Sequence, residues 1–256
     1  GSSVQIVLDG DVTLDQTIQI PAKTAVTITT DGAARTVKRG EGLTAAMFNV
    51  PAGSTLTLSG GESRLVLDGA SVKASVSGCS FTGNSAKTGG AIDTKTKVGI
   101  QMTVADSTFS ANTATTNGGA INLMDTNTMT ATNTAFTGNK TTKSAANKGG
   151  AAVYVANTSA SFDGCTFTEN TVAGNTDSVG GALCFYAVSA SQTAITVSGS
   201  TFTGNTAPNG GAIGLSDSGS FRSGRAIVNW ADCSFTGNSA AGKGGAIAIP
   251  YSCENA

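Results

Sequence analysis

Histidine is missing from this sequence, and charged side chains are used sparingly. None of its 256 residues is histidine, and Asp, Glu, Lys and Arg together make up 12% of them, for a net charge of −1. Without histidine, the commonest proton shuttle and metal ligand is missing. With so few charges, no basic face of the kind that nucleic-acid-binding proteins present is visible. We therefore expect neither a cofactor nor a nucleic-acid partner.

Long apolar stretches are missing as well. No run of about 18 apolar residues occurs, so the sequence predicts no membrane-spanning helix. No window of about 11 residues keeps apolar side chains at the i, i+3, i+4 and i+7 spacing, so we expect almost no helix of any kind. A signal peptide is not recognisable either. We expect the chain to be a piece of a longer protein, attached to a membrane or cell wall only through parts outside it.

A two-part motif, which occurs six times, dominates what is present. The first part is an F-x-x-N box, and its six copies are Phe81/Asn84, Phe109/Asn112, Phe136/Asn139, Phe167/Asn170, Phe202/Asn205 and Phe235/Asn238. A G-G-A box follows each of them and begins at Gly89, Gly118, Gly149, Gly180, Gly210 and Gly244. Successive phenylalanines are 28, 27, 31, 35 and 33 residues apart. Such a period is typical of a stacked repeat.

Each repeat has the composition of short strands. The boxes lie in runs rich in Thr, Ser, Val and Ile, which favour extended chain, with Gly, Asn and Asp between them. After the second box the residues alternate, with Ile92, Ile121, Leu183, Ile213 and Ile247 in one column and Asp93, Asn122, Gly214 and Ala248 facing the other way. The third copy differs, because Ala152 follows its G-G-A box and leaves less bulk in the column.

A repeat of this size is too small to bury its own apolar face, so it must stack on its neighbours. The sequence therefore predicts an all-β, single-stranded parallel β-helix of pectate-lyase-like architecture, right-handed and of about nine coils. Residues 1–78 lack the boxes, but their composition also predicts strands. We expect them to form an N-terminal cap and the first coils. Residues 79–256 then form the repeat region of the same continuous solenoid.

The two boxes have predicted structural roles. Stacking places equivalent residues of successive coils roughly 4.8 Å apart, so the six phenylalanines are expected to form one internal column. The six asparagines fall at the following corner, where their amides both donate and accept hydrogen bonds along the stack. We expect an asparagine ladder at that corner.

The five cysteines are not expected to form a disulfide framework. Cys79, Cys165 and Cys233 each lie two residues before a repeat phenylalanine, where other copies have Ser or Thr. More than two coils separate them from one another, roughly 9–14 Å, which is too far for a disulfide bond. Cys184 alternates with inward Leu183 and Phe185, so we expect it to face outward.

The motifs between Val76 and Ile249 resemble a known repeat. The paired G-G-A-[ILV] and F-x-x-N boxes resemble those of the chlamydial polymorphic outer membrane proteins and related bacterial β-helical surface adhesins. Similar repeats occur in large surface proteins of other bacteria, including Gram-positive cell-wall proteins. The resemblance implies a surface-displayed β-helix involved in adhesion, although a fold does not by itself determine an activity.

The competing prediction is a polysaccharide lyase or glycoside hydrolase acting on uronate-containing polymers, since such enzymes also use parallel β-helices. Their chemistry needs paired carboxylates, or a basic residue beside a metal-held uronate, on one outer face. The triplet Asn175-Thr176-Asp177 matches a polygalacturonase-like N-T-D, but the G-H-G partner requires histidine and no Asp-Asp pair follows. We predict no enzymatic activity.

Other polar residues are interpreted as structural. Asp106, Asn133 and Asp232 occupy a position where other copies have glycine, so we interpret them as turn residues rather than catalytic or calcium-binding ones. A third functional class, ice binding through outward threonine ladders, requires a long regular T-x-T array, and we expect none.

Two loops between the boxes are longer than the others. From Asn to the next G-G-A box the separation is five or six residues in four copies, but ten in copies three and four. These loops, 140–148 and 171–179, leave the same corner of adjacent coils and are expected to protrude side by side. They carry Lys140, Lys143, Lys148 and Asp177. Loops on a rigid scaffold commonly carry recognition, although tolerated insertions are the alternative.

A second candidate binding segment is 216–229. It contains Phe221, Arg222 and Arg225, an aromatic ring and two guanidinium groups that suit contacts to a glycan or a protein. Together these features predict a non-catalytic, extracellular β-helical segment of a bacterial cell-surface protein that acts as an adhesin or stalk. Its expected partner is a host surface glycoprotein or a glycan.

Overall fold

The chain folds into short parallel strands. The computed structural model describes residues 2–30, 35–39, 48–49, 54–59, 61–62, 65–66, 73–78, 80–96, 101–124, 128–187, 193–217 and 226–249. These residues form 33 strands, and none of the residues described lies in a helix. In this part of the chain no helix is long and apolar enough to cross a membrane.

Four sheets run along the solenoid, and each coil adds one parallel strand to a sheet. The first sheet has nine strands: β1 (Ser2–Leu8), β4 (Thr24–Thr30), β7 (Thr55–Ser59), β10 (Lys73–Ser77), β14 (Gln101–Ala105), β18 (Thr128–Thr132), β22 (Ser159–Asp163), β26 (Thr193–Ser198) and β30 (Ala226–Ala231). The second also has nine: β2 (Val12–Leu14), β5 (Arg35–Arg39), β8 (Gly61–Glu62), β11 (Ser80–Thr82), β15 (Thr108–Ser110), β19 (Ala135–Thr137), β23 (Thr166–Thr168), β27 (Thr201–Thr203) and β31 (Ser234–Thr236).

The third and fourth sheets are confined to later coils. The third has six strands: β12 (Ser85–Thr88), β16 (Thr113–Asn117), β20 (Lys140–Ser144), β24 (Thr171–Gly174), β28 (Thr206–Ala207) and β32 (Ser239–Ala240). The fourth has seven: β9 (Leu65–Val66), β13 (Ile92–Thr96), β17 (Ile121–Met124), β21 (Val153–Ala156), β25 (Leu183–Ala187), β29 (Ile213–Asp217) and β33 (Ile247–Ala248). A small two-stranded sheet joins β3 (Ile18–Gln19) to β6 (Phe48–Asn49). Apart from β3 and β6, the strands before residue 78 thus lie in the same sheets as those after it.

The strands alternate as half-buried strands do. In β14, Met102 and Val104 are buried whereas Gln101 and Thr103 are exposed. Most of the buried apolar side chains form one core that extends from Ile20 to Leu215. The predicted parallel β-helix is therefore confirmed, and its cohesion comes from apolar contacts between coils.

The phenylalanines of the F-x-x-N boxes form an uninterrupted internal stack. Successive ring centroids are 4.7, 5.0, 5.0, 4.6 and 4.9 Å apart, and the ring planes are within 11° of parallel. The first five rings are fully buried, and Phe235 in the last copy is half-buried. The strand spacing sets the ring spacing, because each phenylalanine pairs in register with the next.

In the third copy the box begins one residue later than its G-G-A sequence suggests. Val153, not Ala152, pairs with Ile121 and Leu183 in the apolar column. The left-handed glycine that opens the box is Gly150, and Ala151 takes the place of the second glycine. The expected loss of bulk is therefore wrong: the box reads G-A-A-V, and the column is filled at every copy.

Turn residues and cysteines occupy repeat positions. Asp106, Asn133 and Asp232 have φ of 49°, 46° and 54°, as the glycines of other copies do at this corner, which supports their interpretation as turn residues. Cys165 and Cys233 are free thiols. Each contacts the carbonyl oxygen two residues earlier, as the hydroxyl of Ser107 does. Cys79 lies outside the described residues.

Candidate binding surface

The asparagine ladder is internal and saturated with hydrogen bonds. Asn139 Nδ2 donates to Asn170 Oδ1 at 2.9 Å and to the Phe109 carbonyl oxygen, one coil on either side. Its Oδ1 accepts from the backbone N and the Nδ2 of Asn112. The same pattern links Asn84, Asn112, Asn139, Asn170, Asn205 and Asn238. Because its amides are occupied, the ladder stabilises the stack and offers little to a ligand.

The two long loops lie against each other. Asn175 N donates to the Ser144 carbonyl oxygen, Asn147 N donates to that of Asp177, and Val179 N donates to that of Lys148, each within 3.0 Å. Ser178 Oγ, which is buried, lies 3.1 Å from the carbonyl oxygens of Ser144 and Ala145. Asp177 is exposed at this corner and Lys148 is half-buried. The expectation that the whole of 140–148 and 171–179 protrudes as loops is wrong, because 140–144 and 171–174 form strands β20 and β24; the exposed Lys140 and Lys143 lie in β20.

The next two coils extend this stack of corners. Asn209 Nδ2 donates to the Thr176 carbonyl oxygen at 2.8 Å, and Asn209 Oδ1 accepts from Lys243 N at 3.0 Å. Gly242 N also donates to the Pro208 carbonyl oxygen. We call the four stacked corners 145–148, 175–178, 208–209 and 242–243 the corner ridge. Its backbone is held by hydrogen bonds from coil to coil, so side chains on it have a rigid base.

A lid column covers the outer face of the fourth sheet. Its members precede the first left-handed glycine of each box: Thr88, Asn117, Gly149, Val179, Asn209 and Lys243. Five residues later comes the outward-facing column of the fourth sheet: Asp93, Asn122, Tyr154, Cys184, Gly214 and Ala248. In the first two copies each pair is joined by a hydrogen bond, from Thr88 Oγ1 to Asp93 and from Asn117 Nδ2 to Asn122.

In the middle copies the contact between the two columns is apolar. Tyr154, Ala156, Val179 and Cys184 form a buried cluster separate from the main core, with Tyr186 packed against it. Cys184 thus lies on the outer face, as its alternation predicts, but it is fully buried rather than solvent-facing. Burial raises the pKa of its thiol, and the nearby Lys148 ammonium opposes that shift only in part.

In the last two copies the outward column almost disappears, since it consists of Gly214 and Ala248. Val179 closes the space over Gly214, where an added Cβ would lie 2.5 Å from Val179 Cβ. A cleft of about 250 Å³ lies beside Ala248, next to the corner ridge. We call it the corner cleft; Asn147, Asp177, Asn209, Lys243, Ala248 and Ile249 line it, together with Val179 and Leu215.

The structure brings only some of the predicted binding residues together. Asp177 lines the corner cleft, whereas Lys140, Lys143 and Lys148 are outside its lining. Phe221, Arg222 and Arg225 lie outside the described residues. Sequence reasoning missed Asn209 and Lys243, although their place immediately before a G-G-A box was a signal. In the N-T-D triplet, Asn175 Oδ1 accepts from Asp177 N, which makes it a turn motif.

The outer face of the second sheet is a regular field of hydroxyl groups. The residues flanking the stacked phenylalanines are Ser80/Thr82, Thr108/Ser110, Ala135/Thr137, Thr166/Thr168, Thr201/Thr203 and Ser234/Thr236, so eleven of twelve carry a hydroxyl. All twelve are exposed or half-buried. Only two of the six rungs are T-x-T, so the face is no long regular threonine array, as expected; serine completes most of the other rungs.

Comparison with known proteins agrees with this geometry. The family model for a right-handed β-helix region matches residues 55–249. This chain belongs to that family. The match to the right-handed β-helix family covers the strands from β7 onward, which include the six boxed repeats and most of the core. No curated protein and no solved structure matches the chain.

Proposed function

We propose that this chain is a non-catalytic, extracellular β-helical segment of a bacterial cell-surface protein, and that it acts as an adhesin or stalk in attachment to a host or a neighbouring cell. The observation that carries the proposal is the corner ridge. There, loops from four successive coils are held by backbone hydrogen bonds on a solenoid whose interior is fully packed. The motif resemblance to the chlamydial polymorphic outer membrane proteins supports the same role.

The mechanical part of this role follows from the stack. Nine parallel strands at roughly 4.8 Å spacing extend the first sheet over about 40 Å, and each coil contacts the next through the same columns. A ligand held at the ridge would therefore be displayed on a stiff rod. The proposed partner is a host surface glycoprotein or a glycan, contacted through segments 140–148 and 171–179, whose corners belong to the ridge.

A binding screen tests the proposal. The chain is applied to a glycan array and to immobilised host surface glycoproteins, beside a variant in which the corners 145–148 and 175–178 are each replaced by a short Gly-Ser link. We expect binding that the trimmed variant loses. Thermal melting of both proteins checks that trimming leaves the solenoid folded. Failure of the intact chain to bind any glycan or glycoprotein would overturn the adhesin role.

A second candidate function is ice binding at the hydroxyl face of the second sheet. Its rungs are roughly 4.8 Å apart along the solenoid and its side chains roughly 6.6 Å apart along each strand, a flat lattice able to order water. Thermal hysteresis and inhibition of ice recrystallisation measure this activity. Replacing Thr166 and Thr201 by Lys would abolish it, whereas inactivity of the intact chain would exclude it.

A further inference from the structure

The lid column and the outward column of the fourth sheet complement each other in size until the last copy. Asp93 and Asn122 are joined to the lid by hydrogen bonds, and Cys184 is covered by Val179. Over Gly214 there is no gap, because a Cβ added there would lie 2.5 Å from Val179 Cβ. At Ala248 in the last copy the outward column offers only a methyl group, and Asn209 and Lys243 line the space beside it. The corner cleft therefore lies where polar lid residues stand beside the small side chain of Ala248.

The lining combines an apolar floor with polar groups on one side. Ala248 and Ile249 supply apolar surface, and Ile249 is 55% exposed. The exposed Asp177 carboxylate and the exposed Asn147 side chain receive no hydrogen bond from the other described residues. Asn209 is committed to the ridge by its bonds to the Thr176 carbonyl oxygen and to Lys243 N. One carboxylate and one ammonium among the lining residues leave the cleft without a net charge.

We infer that the corner cleft binds one pyranose unit of a neutral glycan, an inference that rests on the adhesin function proposed above. A pyranose has an apolar C–H face, which suits the floor at Ala248 and Ile249. Its adjacent hydroxyls donate to the Asp177 carboxylate, and the Asn147 amide supplies a donor and an acceptor. The volume of about 250 Å³ is below the range of roughly 300–1,000 Å³ for drug-sized ligands, which favours a single ring. Affinity for one ring is expected to be weak, so adhesion depends on many displayed copies.

Saturation-transfer NMR on the full chain tests this inference with four probes: methyl glucoside, methyl galactoside, methyl mannoside and N-acetylglucosamine. We expect transfer to the C–H protons of at least one sugar. Asp177→Asn removes the charged acceptor but keeps the backbone turn, and should weaken binding by about 10-fold or more. Ala248→Phe fills the cleft and should abolish binding. Thr115→Phe, on the exposed face of β16, is the matched control and should bind as the parent does.

The outcomes separate this inference from the adhesin role. No transfer to any of the four sugars, or transfer that Asp177→Asn leaves unchanged, would overturn the cleft assignment. Asp177→Asn alters an exposed corner side chain, so it keeps the test decisive if Ala248→Phe fails to fold. Glycoprotein binding that survives Asp177→Asn but is lost in a Lys140→Ser/Lys143→Ser variant would overturn the cleft and leave the adhesin role standing. Absence of both kinds of binding would overturn both.

Discussion

Asn139 and Asn170 lie one above the other, and the Nδ2 of the first donates to the Oδ1 of the second at 2.9 Å. Both side chains are fully buried. Each amide also donates to the carbonyl oxygen of the phenylalanine one coil earlier, so the ladder ties the corner to the ring stack. This link between the two halves of the F-x-x-N box explains why they recur together.

Replacing Asn139 by Ala should lower the free energy of unfolding by about 1–3 kcal/mol. The change removes the acceptor of the Asn112 backbone N and of one Asn112 Nδ2 hydrogen, and it removes the side-chain donor to the Phe109 carbonyl oxygen and to Asn170 Oδ1. Asn170 Oδ1 keeps its bond from the backbone N of residue 139, and Asn112 Nδ2 keeps its bond to the Phe81 carbonyl oxygen. Urea denaturation measures the effect. Asn147→Ala, at an exposed corner, is the control and should change stability by less than about 0.5 kcal/mol. Equal stability of the two variants would contradict a structural ladder.

The corrected box of the third copy predicts unequal effects at two glycines. Gly138 and Gly150 both have φ of 61°, so alanine at either is strained by about 1–2 kcal/mol. A Cβ at Gly138 meets nothing within 4 Å, whereas one at Gly150 collides with the carbonyl oxygen of Val153. We expect Gly150→Ala to cost about 1–3 kcal/mol more than Gly138→Ala. Equal melting temperatures of the Gly138→Ala and Gly150→Ala variants would show that the box does not begin at Gly150.

The buried hydroxyl of Ser216 has no hydrogen-bond partner within the described part of the chain. Ser216→Ala should therefore leave the protein as stable as before or stabilise it by about 1 kcal/mol, because an unsatisfied polar group is removed. Ser178→Ala is the comparison, since Ser178 Oγ contacts two loop carbonyl oxygens and its loss should destabilise by about 1 kcal/mol. Thermal melts of both variants distinguish these outcomes.

The thiol of Cys165 should make stability fall at alkaline pH. Burial raises its pKa from 9.0 to about 11. The unfolded chain therefore loses this proton first, and the stability that the neutral thiol contributes below pH 9 is lost as the pH rises toward 11. Cys165→Ser, which copies Ser107 and Ser200, should reduce the slope between these values by up to about 1.4 kcal/mol per pH unit. Denaturation at several pH values measures this. If the thiol is irrelevant, the free energy of unfolding of the parent and of Cys165→Ser will change with pH in the same way.

We expect the purified chain to turn over no polygalacturonate, pectin or alginate. Asp177, the acid of the N-T-D triplet, lies in a turn on an exposed corner and lines a cleft with one ammonium group. Absorbance of unsaturated products and reducing-end assays measure lyase and hydrolase activity. Products that disappear in Asp177→Asn would refute the non-catalytic assignment and restore the enzyme alternative.

The spacing of Phe and Asn in the sequence predicts much of the fold, whereas the sequence predicts the candidate site only in part. Phe81 and Phe109 recur with short strands around them, and stacking is the arrangement that buries such rings. Asp177 was picked out because its loop is long. Asn209 and Lys243 lie in short loops, so loop length did not single them out; their importance depends on the small side chain of Ala248, which lines the same cleft.

The sequence by itself determined the repeat, the parallel β-helix and the inward faces of its strands, because these depend on interactions that every coil makes with an equivalent coil. Only the tertiary structure decided where the third box begins, that outward-facing Cys184 is buried, and that a cleft lies beside Ala248. These features arise where a corner folds over the outer face of the fourth sheet. There, the outcome depends on the sizes of two side chains five residues apart and on the backbone conformation between them, and neither follows from the repeat period.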